Sequence, residues 1–328
     1  MCGIAGFISP NDQTSLSNRE DILDRMCQII THRGPDEQGT VVRGKAALGM
    51  RRLSIIDIKS GQQPIFNDDE SLAIVFNGEI YNYRELKHDL EQKGYRFKKN
   101  SDTETILLAY QEYGAEAVKK LRGMFAFAIW NFQEEELFIA RDRIGKKPLF
   151  YSLTTDGSFV FGSELKSLRL FPTVDLTVDP LAVNSYLTFG YVPEQQCIYR
   201  SVNKLEPGHS LTFKGGKIST SAYWDIEFCE SFSALSESDY IDQLREKLVD
   251  AVKCRLISEV PLGAFLSGGV DSSAVVGLMS QVMTEPVKTF SIGFNEDSFN
   301  ELKFARVAAE HFGTEHHEFV VTPNVVEI

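Results

Sequence analysis

The sequence predicts two folds in series: a layered α+β sandwich of antiparallel sheets covered by helices, then an α/β unit built on a parallel sheet. Three observations predict them. From Cys2 to about Phe161 the chain runs through short apolar segments of strand length, interrupted by only three helical patterns. From Asp239 onward, strand and helix patterns alternate, which calls for parallel pairing because crossovers need a helix. Between the two rhythms lies FCESFSALSES, rich in serine and without a clean period, so residues 217–238 are assigned as linker, 1–216 as the first domain and 239–328 as the second.

In order, the strand candidates of the first domain are GIAGFI, LSIID, SLAIVF, GMFAFAIWNF, ELFIA, PLFY and FVFG, bounded by glycine, asparagine and acidic turns. Helical spacing appears at Arg19 to Ile30, Tyr83 to Lys93 and Thr103 to Tyr113, the last two stopping at Gly94 and Gly114, which suit left-handed C-caps. Ser101 to Glu104 matches a capping box. A helix over Pro180 to Phe189 and strands at Ser210 to Phe213 and Lys217 to Tyr223 follow. The second domain reads as helix Asp239 to Leu256, strand Leu262 to Leu266, helix Asp271 to Met283, strand Val287 to Ile292, helix Glu301 to Phe312 and strand His316 to Val321.

With 328 residues, 43% of them hydrophobic, the chain can bury two cores. Its net charge of -12 argues against nucleic acid or an anionic membrane as main partner and leaves small molecules. Five cysteines without a CxxC pair fit a reducing compartment. No apolar run approaches the ~18 residues that span a bilayer, and the start lacks a signal pattern, so a cytoplasmic location is expected.

The chemistry-bearing residues of the first domain fall in small clusters. Cys2 would carry a nucleophilic thiol and a free α-amine on one residue once Met1 is removed, although a small residue opening a buried strand accounts for it as well. Arg51 and Arg52 head a strand pattern and suit a bidentate grip on a carboxylate. Asn77 beside Gly78 offers an amide and an open backbone N–H, the makings of an oxyanion hole. Asp102 suits a substrate ammonium and a helix cap equally. HRGPD at 32–36 and RDRIGKKP at 141–148 read as structured turns.

Together MCGIAGF, HRGPD, RRLSIID, FNGEIYNYREL, SDTETIL, LRGMFAFAIWN, RDRIGKKPLFY and FGSELKSL resemble, in order and spacing, the class II glutamine amidotransferase domain of the glutamine-hydrolysing asparagine synthetases. The resemblance implies a four-layered αββα sandwich of the N-terminal-nucleophile hydrolase type, with glutamine as substrate. It implies Cys2 as nucleophile, Arg52 for the glutamine carboxylate, and Leu53, Ser54, Ile55 and Ile56 as pocket backbone. It implies Asn77 and Gly78 for the oxyanion, with Glu79 and Asp102 taking the α-ammonium.

In the second domain a strand pattern ending at Leu266 runs into Ser267-Gly268-Gly269-Val270-Asp271-Ser272-Ser273, which opens a helix. A glycine-rich turn of this kind aims N–H groups and the positive helix end at an anion, and the missing GK[ST] argues against a Walker A loop. SGGVDSS resembles the pyrophosphate loop of ATP pyrophosphatases, the second domain of the same synthetases. That resemblance implies ATP held by Leu266, Ser267, Gly268, Gly269, Asp271, Ser272, Ser273 and Ile292, with Mg²⁺ at Asp271. His311, His316 and His317 are not assigned to a metal, since the last two are strand neighbours facing opposite ways.

The expected activity is therefore glutamine hydrolysis coupled to ATP-dependent adenylation of aspartate and its amidation to asparagine, in an enzyme whose relatives suggest a homodimer. The alternative is a related amide ligase acting on a sugar acid, a cell-wall carboxylate or a secondary-metabolite precursor. A reading of another class, a silent fold kept for assembly, predicts no ammonia from glutamine. The second domain is expected to be a fragment of a longer one.

Overall fold

The computed structural model describes residues 2–10, 16–193, 196–228, 235–296, 298 and 300–322. Two compact units divide at residues 228 and 229. In the first, the elements run β1 (Gly3–Ile8), α1 (Leu16–Gln28), β2 (Glu37–Arg43), β3 (Ala46–Arg52), β4 (Ile65–Phe66), β5 (Leu72–Ile80), α2 (Tyr83–Gln92), α3 (Asp102–Tyr113) and α4 (Ala117–Lys120). They continue through β6 (Gly123–Asn131), β7 (Glu136–Arg141), β8 (Phe150–Leu153), β9 (Phe159–Gly162), α5 (Leu165–Leu168), α6 (Pro180–Phe189), β10 (Asn203–Lys204), β11 (His209–Lys214) and β12 (Lys217–Ala222).

One sheet has the order β10-β8-β9-β1-β3-β2 and the other β12-β11-β7-β6-β5-β4, with antiparallel neighbours throughout. Strand alternation builds the layers. Ile4 and Ile8 of β1 join Ala46, Leu48 and Met50 of β3 and meet Ala73, Val75, Ala126, Ala128 and Trp130 of the other sheet in the inter-sheet core. The intervening Ala5, Phe7 and Ala47 face outward and are covered by Leu23, Met26 and Cys27 of α1. On the far face α3 packs on β4 and β5, with α2 and α4 beside it. The result is the expected αββα sandwich.

Local chemistry accounts for most boundaries. Asp179 caps α6, accepting from Leu181 N at 3.0 Å ahead of a proline at its first position, and Gly190 closes it at φ 77°. Gly94 has φ 96°, whereas Gly114, at φ 57° and ψ −139°, leads into a short 3-10 turn instead of a left-handed cap. The capping box expected at 101–104 is half made. Ser101 Oγ accepts from Glu104 N at 3.2 Å, but the Glu104 carboxylate accepts from Lys98 N and Lys99 N because the preceding loop folds back over it. The sheet also runs six residues into the stretch expected as linker, since Lys217–Ala222 pairs along β11. The middle of that linker, 229–234, lies outside the described residues, as do Met1 and the last six positions.

In the second unit, β13 (Gly263–Phe265), β14 (Lys288–Phe294) and β15 (Glu315–Val321) form a parallel sheet in that order. Helices α8 (Val270–Val282) and α9 (Leu302–Phe312) make the crossovers, and α7 (Glu237–Lys253) packs on α8. A complete capping box, Ser236 with Asp239, starts α7.

Candidate active site

The inter-sheet rows that hold Ile4, Leu48, Val75 and Ala126 turn polar at one end. Cys2 precedes Ile4 by two residues, Arg52 follows Met50 by two, and Asn77 and Glu79 follow Val75 in the same alternation, so all four project between the sheets. An apolar side chain buried there would contribute about 1.5–3 kcal/mol, which these residues forgo. They line a pocket of ≈ 100 Å³ together with Leu53, Ile55, Ile56, Gly78, Ser101, Asp102 and Lys147.

Cys2 is held from several sides. Its Sγ accepts from Leu53 N at 3.4 Å, and Arg33 Nε donates to its carbonyl at 2.9 Å. Arg33 also donates to Glu164 at 3.0 Å, and Ser163 brackets the next residues, its Oγ accepting from Ile4 N and its N–H donating to Ile4 O. The turns HRGPD and FGSEL thus clamp the amino-terminal strand. Burial pushes the Cys2 thiol up from its ordinary range, against the opposing pull of the Leu53 N–H and the Arg52 charge.

Asn77 is fully buried, and neither its side-chain oxygen nor its nitrogen has a hydrogen-bond partner among the described residues. A buried amide left so costs about 1–3 kcal/mol. Backbone N–H groups on the outer edge of β5 belong to alternate residues: Phe76 N donates to Gln63 Oε1 at 2.7 Å and Ile80 N to Asp102 Oδ2 at 3.1 Å. The Gly78 N–H lies between them on that edge. Glycine is required there because a Cβ would stand 2.1 Å from the Met124 carbonyl oxygen.

The guanidinium of Arg52 is buried and pre-set. It donates to Glu37 at 2.9 Å and to the carbonyls of Ile56 and Asp57 at 2.9 and 2.8 Å, which takes three of its five N–H groups. Asp102 is the first residue of α3, with Ser101 as its cap, so its carboxyl is directed into the pocket. Burial raises it to about 7, Glu79 adding to the rise and the Ile80 N–H opposing it. Glu79 is raised too, by burial, with Lys147 opposing.

Of the expected glutamine-pocket residues, Ser54 alone is missing from the lining, because its N–H turns away to Asp36 Oδ2 at 2.9 Å. Among the lining residues left unassigned from the sequence are Gln63, Thr103, Met124 and Lys147. Lys147 is delivered by the RDRIGKKP turn, wound around Asp142, whose carboxylate accepts from the backbone N–H groups of Phe125, Lys146 and Lys147. Its neighbour Lys146 points to solvent. Nothing in the pair Lys146-Lys147 distinguishes them in the sequence.

In the second unit, Leu266, Ser267, Ser272 and Ile292 line one cleft with Phe265, Phe290 and Glu301, which the sequence left unassigned. Gly268, Gly269, Asp271 and Ser273 are not in its lining and form the turn beside it. Ser267 and Ser272 hydroxyls bond each other at 3.0 Å, and Ser267 Oγ accepts from Gly269 N at 3.3 Å, closing the turn at the start of α8. Gly268 adopts φ 79° and lies so close to α9 that a Cβ would sit 2.3 Å from the Phe304 backbone. Asp271 stands exposed in the first turn of α8. His316 Nδ1 pairs with Thr289 Oγ1 and His317 stacks on Phe290, and among the described residues no group of three His, Cys, Asp or Glu is set to hold a metal by itself.

Comparison with known proteins gives two family matches, the glutamine amidotransferase domain over residues 1–224 and asparagine synthase over 243–327. Asparagine synthetase [glutamine-hydrolyzing] 1 of Bacillus subtilis is 40% identical over 98% of this chain and 50% of its own length. Asparagine synthetase [glutamine-hydrolyzing] 3 of that organism is 33% identical over 98% of this chain and 54% of its own. The chain thus spans about half the length of the curated relatives it matches. Among solved structures, a glutamine phosphoribosylpyrophosphate amidotransferase from B. subtilis superimposes with a TM-score of 0.52 at 17% identity, covering 99% of this chain and 70% of that one, which shows a shared fold. No helix among the described residues is long and apolar enough to cross a membrane.

Proposed function

The chain belongs to the glutamine amidotransferase domain family, with an asparagine synthase match behind it, and we propose from this that it releases ammonia from glutamine at Cys2 and serves an ATP-dependent amidation of aspartate to asparagine. The observation that carries the first half is the buried, unpartnered amide of Asn77 in the same pocket as the Cys2 thiol.

Once Met1 is removed, the Cys2 α-amine is the base. A thiol raised by burial stays protonated at neutral pH, so it needs a proton acceptor at the moment of attack, and an amine titrating near ~8 on the same residue is suited to that. The proton passes from Sγ to the amine and sulfur bonds to the side-chain carbonyl carbon of glutamine. The resulting oxyanion is met by Asn77 Nδ2 and the Gly78 N–H, donors that need no reorganisation because nothing else engages the amide. Collapse breaks the C–N bond, and the α-ammonium returns the proton to the departing nitrogen, which leaves as ammonia. Water then attacks the thioester with the amine again as base, giving glutamate and the free thiol.

The N–H groups of Arg52 not taken by Glu37 and the loop carbonyls suit the substrate α-carboxylate, and Glu79 with Asp102 suits its α-ammonium. In the second unit, the N-terminal N–H groups of α8 and the Ser267–Ser273 turn suit the phosphates of substrate ATP, with Leu266 and Ile292 flanking the base. Asp271, exposed and outside the serine network, fits the single carboxylate that a Mg²⁺ arriving with a nucleotide needs, its other ligands being phosphate and water. Bound there, Mg²⁺ would neutralise charge on the phosphates. The acceptor would be activated as an acyl-adenylate that ammonia displaces.

The test is twofold. A diazo-ketone glutamine analogue should add one label per chain at residue 2 of protein lacking Met1, and Cys2→Ala should lower ammonia release by on the order of 10³-fold or more. The full-length protein should form AMP and asparagine from ATP and aspartate. Normal glutaminase activity in protein that retains Met1 would remove the proposed base.

A further inference from the structure

Two cavities meet at Arg52. The pocket beside Cys2 lies on one side, and on the other is a cavity of ≈ 310 Å³ lined by Glu37, Gln38, Gly39 and Gln62, with Met50, Arg52 and Gln63 common to both. Glu37 stands directly opposite Arg52 in the β2–β3 register, and its carboxylate accepts from Arg52 Nη1 at 2.9 Å. The Arg52 side chain is 6% exposed and that of Glu37 30%, so the guanidinium is dry while its counter-ion keeps contact with water. The two other acidic residues nearby are engaged elsewhere. Asp57 offers Arg52 its carbonyl, its carboxylate accepting from Ser60 and Asn100, and the Asp36 carboxylate accepts from Ser54 N. Glu37 therefore supplies the negative charge paired with Arg52.

Such a pair has two consequences. A guanidinium buried among carbonyls alone would be costly, so Glu37 stabilises the fold around Arg52. It also repels what Arg52 is to bind. Glutamine brings two charges, an α-ammonium for Glu79 and Asp102 at one end of the pocket and an α-carboxylate for a guanidinium that Glu37 has already countered at the other. Attraction at the carboxylate end is reduced accordingly. Product glutamate carries the same α-carboxylate and α-ammonium, so its hold falls with that of glutamine. Building on the glutaminase reading, we propose that Glu37 is a specificity-determining residue acting through Arg52: countering the guanidinium from the cavity behind it, Glu37 weakens the hold on the α-carboxylate of glutamine and glutamate alike. A grip shared by substrate and product lowers KM without speeding the chemistry, and it delays product departure. Glu37 thus favours release of glutamate over tight capture of glutamine. It does so without touching the substrate, because it does not line the pocket of Cys2.

The test removes the charge and keeps the shape. In Glu37→Gln, KM for glutamine and the inhibition constant of glutamate should both fall roughly fivefold, the upper end for a partly exposed charge, with kcat within about twofold. Glutamine α-amide keeps the side-chain amide and the α-ammonium but has no carboxylate, so its inhibition constant against glutamine should not move. A merely structural glutamate would shift all three ligands together or raise KM. An unchanged or raised KM for glutamine in Glu37→Gln, or an equal gain for the α-amide, overturns the proposal. If Glu37→Gln does not fold, Glu37→Met is measured in its place, and there the inhibition constant of the α-amide divided by that of glutamate must rise. Unaltered protein lacking Met1 that frees no ammonia from glutamine sinks the glutaminase reading instead.

Discussion

The pocket at Cys2 and the turn at Ser267–Ser273 are built in opposite ways. The first is assembled from buried side chains on β1, β3, β5 and α3, positions far apart in the chain that only the closed sandwich brings together. The second is one continuous strand-turn-helix whose polar equipment is backbone N–H groups and half-exposed hydroxyls. A site made of buried side chains draws on the stability of its fold, whereas a local turn is limited mainly by backbone geometry. The difference teaches where each should break.

The largest effect that would sharpen this contrast is at Asn77. Asn77→Ala should lower kcat for glutamine hydrolysis by about 10²–10³-fold, as removal of one oxyanion donor does. The same change relieves a buried amide without partners, so the melting temperature should hold or rise. Steady-state kinetics and a thermal melt on one preparation check both, and a large drop in stability would erase the contrast. Next is Gly268→Ala in the turn. At φ 79°, with a Cβ 2.3 Å from the Phe304 backbone, it should destabilise residues 229–328 by about 1–3 kcal/mol. A displacement of that turn worth about 1.4 kcal/mol would lower AMP formation by the full-length protein about tenfold. Hydrogen exchange should locate the loosening in α8 and α9.

The smallest effect concerns the clamp on the amino-terminal strand. Burial would raise the Glu164 carboxyl, but hydrogen bonds from His32, Arg33 and Lys166 outweigh it and hold the group at about 2. A carboxyl held below its unfolded value of ~4.3 contributes stability that is fully present above that value and is lost as pH falls toward 2. Because the site is partly open to water, the contribution is at most about 1 kcal/mol. Urea midpoints between pH 5 and pH 2.5 should fall less steeply in Glu164→Gln than in the unaltered protein.

Much of the first site was legible because its residues sit in short ordered motifs. Cys2, Arg52, Asn77, Gly78, Glu79 and Asp102 were each named from the chain, and each lines the pocket. Ser54 was named because the resemblance implies the backbone of Leu53 to Ile56 as pocket wall, yet its N–H goes to Asp36, 18 residues earlier, and turns it away. Glu104 matched a capping box but its carboxylate went to Lys98 and Lys99. Both departures have one cause: a polar group takes the partner nearest in space, and sequence spacing lists only those nearest along the chain. The strand at Lys217 to Tyr223 was legible as a strand yet fell within the linker bounds, and its pairing along β11 is what joins Lys217–Ala222 to the first unit.

The short apolar runs that became β1, β5 and β6 were enough by themselves to predict strands and hence a layered sandwich, because side chains alternate between two faces along any strand; β2 and β3 were not read, and LSIID, expected as a strand headed by Arg51 and Arg52, is instead the loop that leaves the end of β3 at Arg52. Local chemistry likewise determined the caps of α6 and α7 and the glycine turn that opens α8. Tertiary structure alone decided that Lys147 and not Lys146 is buried against Glu79, and that the Asn77 amide faces Cys2's pocket without a partner. Burial and charge pairing depend on which distant rows of side chains close over a position, and that is settled only when the two sheets meet.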